Sequence, residues 1–140
     1  MKNIPTDSDW KSEPWGIDSK DAFEHFRAKN INEASDLFEE NFRYYAEDLL
    51  YMPKVCFQFY LNSLIEFLGR DSSRKEVESP HVFFSIIDSR AQDILDCDTL
   101  LQDVVKMLKY LEAEKDSFGE FVDWRGDYDQ KLQNCLIALK

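Results

Sequence analysis

The stretch Lys54–Leu68, KVCFQFYLNSLIEFL, decides the fold. Its polar residues Lys54, Gln58, Asn62 and Glu66 fall on an i, i+4 ladder, with Ser63 beside it. Each step of four advances about 40° around an α-helix, so the ladder forms one narrow, slowly drifting polar stripe. The remaining residues, Val55, Cys56, Phe57, Phe59, Tyr60, Leu61, Leu64, Ile65, Phe67 and Leu68, are apolar. A helix that is apolar on nearly all sides must be covered on nearly all sides. Other helices are therefore expected to wrap this one.

The neighbouring residues define its ends. Pro53 stops an upstream helix and suits the first turn of the next, and Gly69 stops the central helix. Upstream, Asn30 with Glu33 has the spacing of a capping box. The pattern then predicts a helix from Ile31 to about Met52, with Ala34, Leu37, Phe38, Phe42, Tyr45, Leu49 and Met52 on one face. Glu33, Asp36, Glu39, Glu40 and Glu47 share the opposite face, which is expected to be solvated. A shorter helix capped by Asp18 or Ser19 is expected to run to Lys29, with Ala22, Phe23 and Phe26 inward.

Downstream, Arg70–Glu78 is a charged loop, and Ser79-Pro80 reads as N-cap and first helical residue. The helix it starts carries Phe83, Phe84, Ile87, Ala91, Ile94 and Leu95. Thr99 with Gln102 repeats the capping-box spacing and opens a helix to about Lys115. A last helix, capped by Asp127, carries Leu132, Cys135, Leu136 and Leu139. No alternating strand pattern, hairpin signal or repeat is present. The fold is read as all-α, a single-domain bundle of about six helices around the buried helix 54–68. Residues 1–18 are expected to form an N-terminal arm that Trp10 and Trp15 pin to the body or else present to a partner, and residues 19–140 the helical domain.

The formal charge is -11. Such a surface repels nucleic-acid phosphates and anionic lipid and attracts basic partners. Cys56, Cys97 and Cys135 are far apart and lack CxxC spacing, as expected of reduced core thiols in a cytoplasmic protein. MKNIPTDSDW, at residues 1–10, has no apolar run, and the run after Lys54 is too short to span a membrane.

No catalytic constellation stands out, and neither metal nor cofactor is expected. Of the two histidines, His25 and His81, only the latter has E-x-x-H spacing, to Glu78, and a helix start falls between them. Cys56 has no histidine near it in sequence. The four glycines are isolated, so no phosphate-cradling loop can form. Two features break the local pattern. Asn41 interrupts the apolar face defined by Leu37, Phe38 and Tyr45. With Tyr45 and Asp48 it forms a polar line at the edge of the core. That line is expected to brace the structure, with Asp48 reaching the amides that open the helix after Pro53, or else to meet a ligand or partner side chain. The second is the stretch Phe118–Tyr128, where Phe118, Phe121, Trp124 and Tyr128 alternate with acids including Asp123 and Asp127. These rings either close the core or present a surface to a basic protein.

The run Asn41–Tyr60, NFRYYAEDLLYMPKVCFQFY, resembles an uncharacterised family of small bacterial all-α proteins with the pattern N-x-x-Y-Y-x-E-D-L-x-x-M-P-x-x-x-F-x-F-Y. Asn41, Tyr44, Tyr45, Glu47, Asp48, Leu49, Met52, Pro53, Phe57, Phe59 and Tyr60 match. FRAKNINEA at Phe26–Ala34 is similar to that family's F-x-G-K stretch, with Ala28 where glycine is usual. Ser79, Phe83, Phe84 and the DSFGEF stretch match more loosely. The resemblance implies a shared helical fold and carries no activity.

The function expected on these grounds is that of a non-enzymatic cytoplasmic protein that binds another protein. An acidic immunity-type or inhibitor-type protein for a basic partner is the specific form. The alternatives are a small helical ligand binder or Mg-dependent nucleotide hydrolase, and a self-associating structural protein.

Overall fold

A computed structural model describes residues 3–123 and 126–140. All its elements are helical, with no strand among the described residues. The α-helices are α1 (Asp7–Trp10), α2 (Ile17–Phe26), α3 (Ile31–Ala46), α4 (Lys54–Leu68), α5 (Ser79–Ser89), α6 (Ala91–Leu95), α7 (Asp98–Ala113) and α8 (Tyr128–Ala138). Short 3-10 segments cover Glu47–Tyr51, Asp71–Lys75, Lys115–Phe118 and Glu120–Asp123. The chain divides into two compact units, Met1–Phe67 and Leu68–Lys140.

In the first unit, α3 starts where the sequence predicts. Asn30 Oδ1 accepts from Glu33 N at 2.8 Å, and Glu33 Oε1 accepts from Asn30 N at 2.9 Å. The helix does not run unbroken to Met52. It kinks at Asn41 (φ -158°, ψ 88°), and beyond Ala46 it tightens into the 3-10 segment. Asn41 is exposed, and its side chain accepts from Tyr44 N at 3.3 Å, as an N-cap would. The expected interruption of an apolar face is thus a break in the helix that turns Asn41 outward.

α4 has the limits read from Pro53 and Gly69, and Phe57, Leu61 and Leu64 are fully buried. Val55 is 48% exposed, and Ile65 is half-buried. Tyr60 is fully buried, and its hydroxyl donates to the carbonyls of Phe26 and Lys29, both at 2.8 Å. These bonds hold the turn between α2 and α3. Within that turn Ala28 has φ 60°, the only positive φ outside glycine among the described residues. Alanine there costs about 1 kcal/mol relative to glycine. Phe67 stacks on Phe42 at 5.5 Å and tilts against Phe38 at 5.8 Å, closing the core between α3 and the end of α4.

The N-terminal residues are not wholly extended. Thr6 and Asp9 form a capping box around the single turn of α1, and Trp10 at its end is fully buried. Trp15 donates Nε1–H to the Trp10 carbonyl at 2.6 Å. Glu13 Oε2 accepts from Lys54 N at 2.7 Å, so the amide opening α4 is capped from this segment and not by Asp48.

In the second unit, α5 packs against α8, and α7 against α6 and α8. The helix expected through Leu95 breaks at Arg90, whose φ and ψ (-128°, 31°) leave the helical range. Ser79 is not a cap. Glu78 takes the N-cap position, and Ser79 Oγ is buried without a hydrogen-bond partner. Cys97, not Thr99, precedes α7. Asp127 precedes α8 but makes no side-chain cap bond; Asp123 Oδ1 accepts from Tyr128 N at 2.9 Å instead.

Candidate functional site

The polar line expected from the sequence becomes a different cluster. Asp48 and Tyr45 stay in it, Asn41 leaves it, and His25 and Tyr44 join. His25 sits in the last turn of α2, on the edge of the face that buries Ala22 and Phe26. Asp48 lies in the 3-10 segment after α3 and is buried. His25 Nδ1–H donates to Asp48 Oδ2 at 2.7 Å, and Nε2 lies 3.3 Å from the Tyr44 hydroxyl. The Tyr44 and Tyr45 ring centroids are 5.1 and 5.2 Å from that of His25, Tyr45 meeting it edge-on at 89°. The two tyrosine rings meet at 5.0 Å.

Burial raises the Asp48 carboxyl above its ordinary pKa, and its hydrogen bond to His25 offsets only part of that rise. Asp21 and Glu47 push in the same direction as burial. Burial, Glu40, Tyr44 and Asp48 likewise raise the Tyr45 hydroxyl. The carboxylate has a chemical consequence for the ring. By accepting from Nδ1–H it fixes the neutral tautomer in which Nε2 is bare, so Nε2 accepts from the Tyr44 O–H. Three residues then form a line from a buried carboxylate to an exposed phenol.

A pH dependence follows. Ionising Asp48 costs more in the fold than in the unfolded chain, so between its two pKa values the folded chain binds more protons. Stability contributed at this site therefore falls as pH rises through that window. Asp48→Asn is expected to melt above wild type at neutral pH, because it removes the buried charge and keeps an acceptor for His25. The difference should close as acidification protonates Asp48. Thermal melts of both proteins across pH check it; a variant that melts lower at every pH refutes it.

The Phe118–Tyr128 stretch divides between the two readings given for it. Phe118 and Tyr128 are core residues, and the Tyr128 hydroxyl donates to the Leu111 carbonyl at 2.8 Å. They cannot dock a partner, because the helical core already covers them. Phe121 is 67% exposed. Asp123 holds Lys115 at 2.6 Å, and Asp127 pairs with Lys131 at 3.5 Å. Trp124 lies outside the described residues.

His81 donates Nε2–H to the Val122 carbonyl at 2.5 Å, which ties the start of α5 to the segment before α8. Among the described residues no group of three or more His, Cys, Asp or Glu side chains is placed to hold a metal ion. Cys56 and Cys135 are buried, and burial pushes the Cys135 thiol up to about 12. A depression of about 160 Å³ in the second unit is lined by Phe84, Ser85, Asp88, Lys131, Asn134 and Cys135. Organic ligands usually occupy roughly 300–1,000 Å³, so it has room for a few atoms only. No described helix is long and apolar enough to cross a membrane.

His25 is the residue that sequence reading missed. It was visible as a histidine beside the Ala22–Phe26 face, but its partner stands 23 positions away, and no local spacing links them. No family model, curated protein or solved structure matches this chain.

Proposed function

We propose that this chain is a non-enzymatic cytoplasmic protein that docks a basic segment of another protein, in the manner of an immunity or inhibitor protein. The observation that carries this reading is the surface around Tyr44 in the first unit. Tyr44 is 54% exposed and abuts Tyr45, and Asp21, Glu40 and Glu47, all exposed, act electrostatically on this cluster. An arginine of a partner would find a ring face for its guanidinium and carboxylates for its N–H groups. The net charge of -11 would speed its approach. The run Asn41–Tyr60, which carries the resemblance to small bacterial proteins, holds Tyr44, Tyr45, Glu47 and Asp48. In the same reading α4 is the central element that keeps this surface rigid, since Cys56, Phe57, Tyr60, Leu61, Leu64 and Phe67 are all buried.

Calorimetric titration of the full chain with a short oligoarginine peptide tests the docking. Binding should weaken with salt, and Tyr44→Ala combined with Glu47→Gln should weaken it about tenfold, from one ring–cation contact and one exposed charge. Unchanged affinity in that double variant would place the peptide elsewhere and remove the reading.

A further inference from the structure

Of the six tyrosines, only Tyr44 and Tyr51 are exposed, at 54% and 39%. They differ in what stands against the hydroxyl. For Tyr44 it is Nε2 of His25 at 3.3 Å, with Nδ1 of the same ring held by Asp48 at 2.7 Å. Neither histidine is hydrogen-bonded to Tyr51. A nucleophile, a base within hydrogen-bond reach and a third group orienting the base are the parts that activate a hydroxyl in acyl transfer. Here they converge on a side chain open to solvent.

We propose that Tyr44, His25 and Asp48 form an acyl-acceptor site, in which the Tyr44 hydroxyl takes an acyl group from an uncharged activated donor. The phenolic oxygen bonds to the acyl carbon while its proton passes to Nε2 of His25. The bond from the acyl carbon to the leaving group breaks, and the leaving group departs with the electron pair. The imidazolium, stabilised by the Asp48 carboxylate, returns the proton to the leaving group. The products are an ester on Tyr44 and the protonated leaving group. His25 is the base and Asp48 a positioning residue. The donor class follows from the surroundings: Asp21, Glu40 and Glu47 create a negative field that repels phosphoryl and adenylyl donors and leaves a neutral acyl donor unopposed. An acyl group on Tyr44 would also cover the proposed docking ring, so the site would regulate that surface. The chemistry does not depend on the docking, which the oligoarginine titration decides separately.

The probe is N-acetylimidazole, an uncharged acetyl donor, applied to the full chain and read by mass spectrometry at each tyrosine. Tyr44 should acetylate about tenfold faster than Tyr51, the low end of what a positioned base supplies. His25→Gln should bring the Tyr44 to Tyr51 ratio down to the modest value set by exposure, and Asp48→Asn should lower it part of the way. Tyr60 and Tyr128 are buried and report folding in the same spectrum, since both stay unlabelled while the chain is folded. If either variant labels them, the wild-type ratio of Tyr44 to Tyr51 decides. A wild-type ratio no greater than the difference in exposure accounts for, or one that His25→Gln leaves unchanged in a folded chain, overturns the proposal.

Discussion

Replacing Trp10 by alanine is expected to cost about 3–5 kcal/mol, the range for deleting a large buried aromatic side chain. The indole is fully buried, edge-on to Phe23 at 5.7 Å and tilted against Tyr60 at 5.8 Å. Its loss would also free the contacts on either side of it. Trp15 hydrogen-bonds the Trp10 carbonyl and packs on Phe23 at 5.1 Å, and Glu13 caps the first amide of α4. Losing such a cap costs about 1 kcal/mol by itself. Trp10→Phe separates ring burial from the indole N–H. Nε1 of Trp10 is buried without a hydrogen-bond partner. An unpaired buried donor costs about 1–3 kcal/mol, so phenylalanine gives up area but removes that penalty. It should cost less than half as much as alanine. Urea unfolding followed by circular dichroism measures both, and limited proteolysis shows whether the segment before α2 comes loose. Trp10→Ala within about 1 kcal/mol of wild type would mean that this segment is not part of the folded core.

The contrast between α4 and its cap shows where sequence reading succeeds. Pro53, Gly69 and the i, i+4 polar ladder all lie within the helix or next to it, and its limits follow from them. The Asn30–Glu33 box is equally local, and it forms. The cap on Lys54 N comes from Glu13, 41 positions earlier, and a carboxylate can reach an amide that far away only because Trp10 is buried first. Asp48 stood much closer in sequence, but its carboxylate is held by His25. The kink at Asn41 is a different failure. Apolar residues continue with helical period on both sides of it, so periodicity bridges the break. What decides the break is that an asparagine side chain can replace the backbone bond to Tyr44 N.

The candidate site was half legible for the same reason. Asp48 and Tyr45 stood out as polar groups beside an apolar face, and a buried polar group needs a partner. Which partner it finds depends on how α2 lies against the 3-10 segment, and no pattern within either element encodes that. The Phe118–Tyr128 stretch was open to two readings. Its alternation of rings and acids fitted a surface or the closing of the core, and burial divides the rings: Phe118 and Tyr128 face the core, Phe121 is exposed, and Asp123 is taken by Lys115 and by the start of α8.

Arg74→Ala is expected to destabilise the second unit by about 3 kcal/mol, although Arg74 is an arginine in what the sequence marks as a charged loop. Its side chain is only 18% exposed. Nη1 donates to the Leu68 carbonyl at 2.8 Å, Nε to Ser117 Oγ at 3.0 Å and Nη2 to the Tyr110 hydroxyl at 2.6 Å. The guanidinium plane also lies over the Phe118 ring at 4.5 Å. One group therefore closes the Leu68 carbonyl, joins it to Tyr110 of α7 and covers the ring that seals the segment after α7. Alanine leaves the Leu68 carbonyl and the Tyr110 hydroxyl without these donors and uncovers one face of Phe118. Lysine restores the charge but not the fork. A single ammonium cannot reach three acceptors in a plane while stacking on a ring, so Arg74→Lys should recover less than half of the loss. Chemical denaturation of the two variants beside wild type measures both losses. If lysine matched wild type, charge alone would matter and Arg74 would be an ordinary surface residue. If both variants fall by about 3 kcal/mol, the planar fork is what holds these elements together.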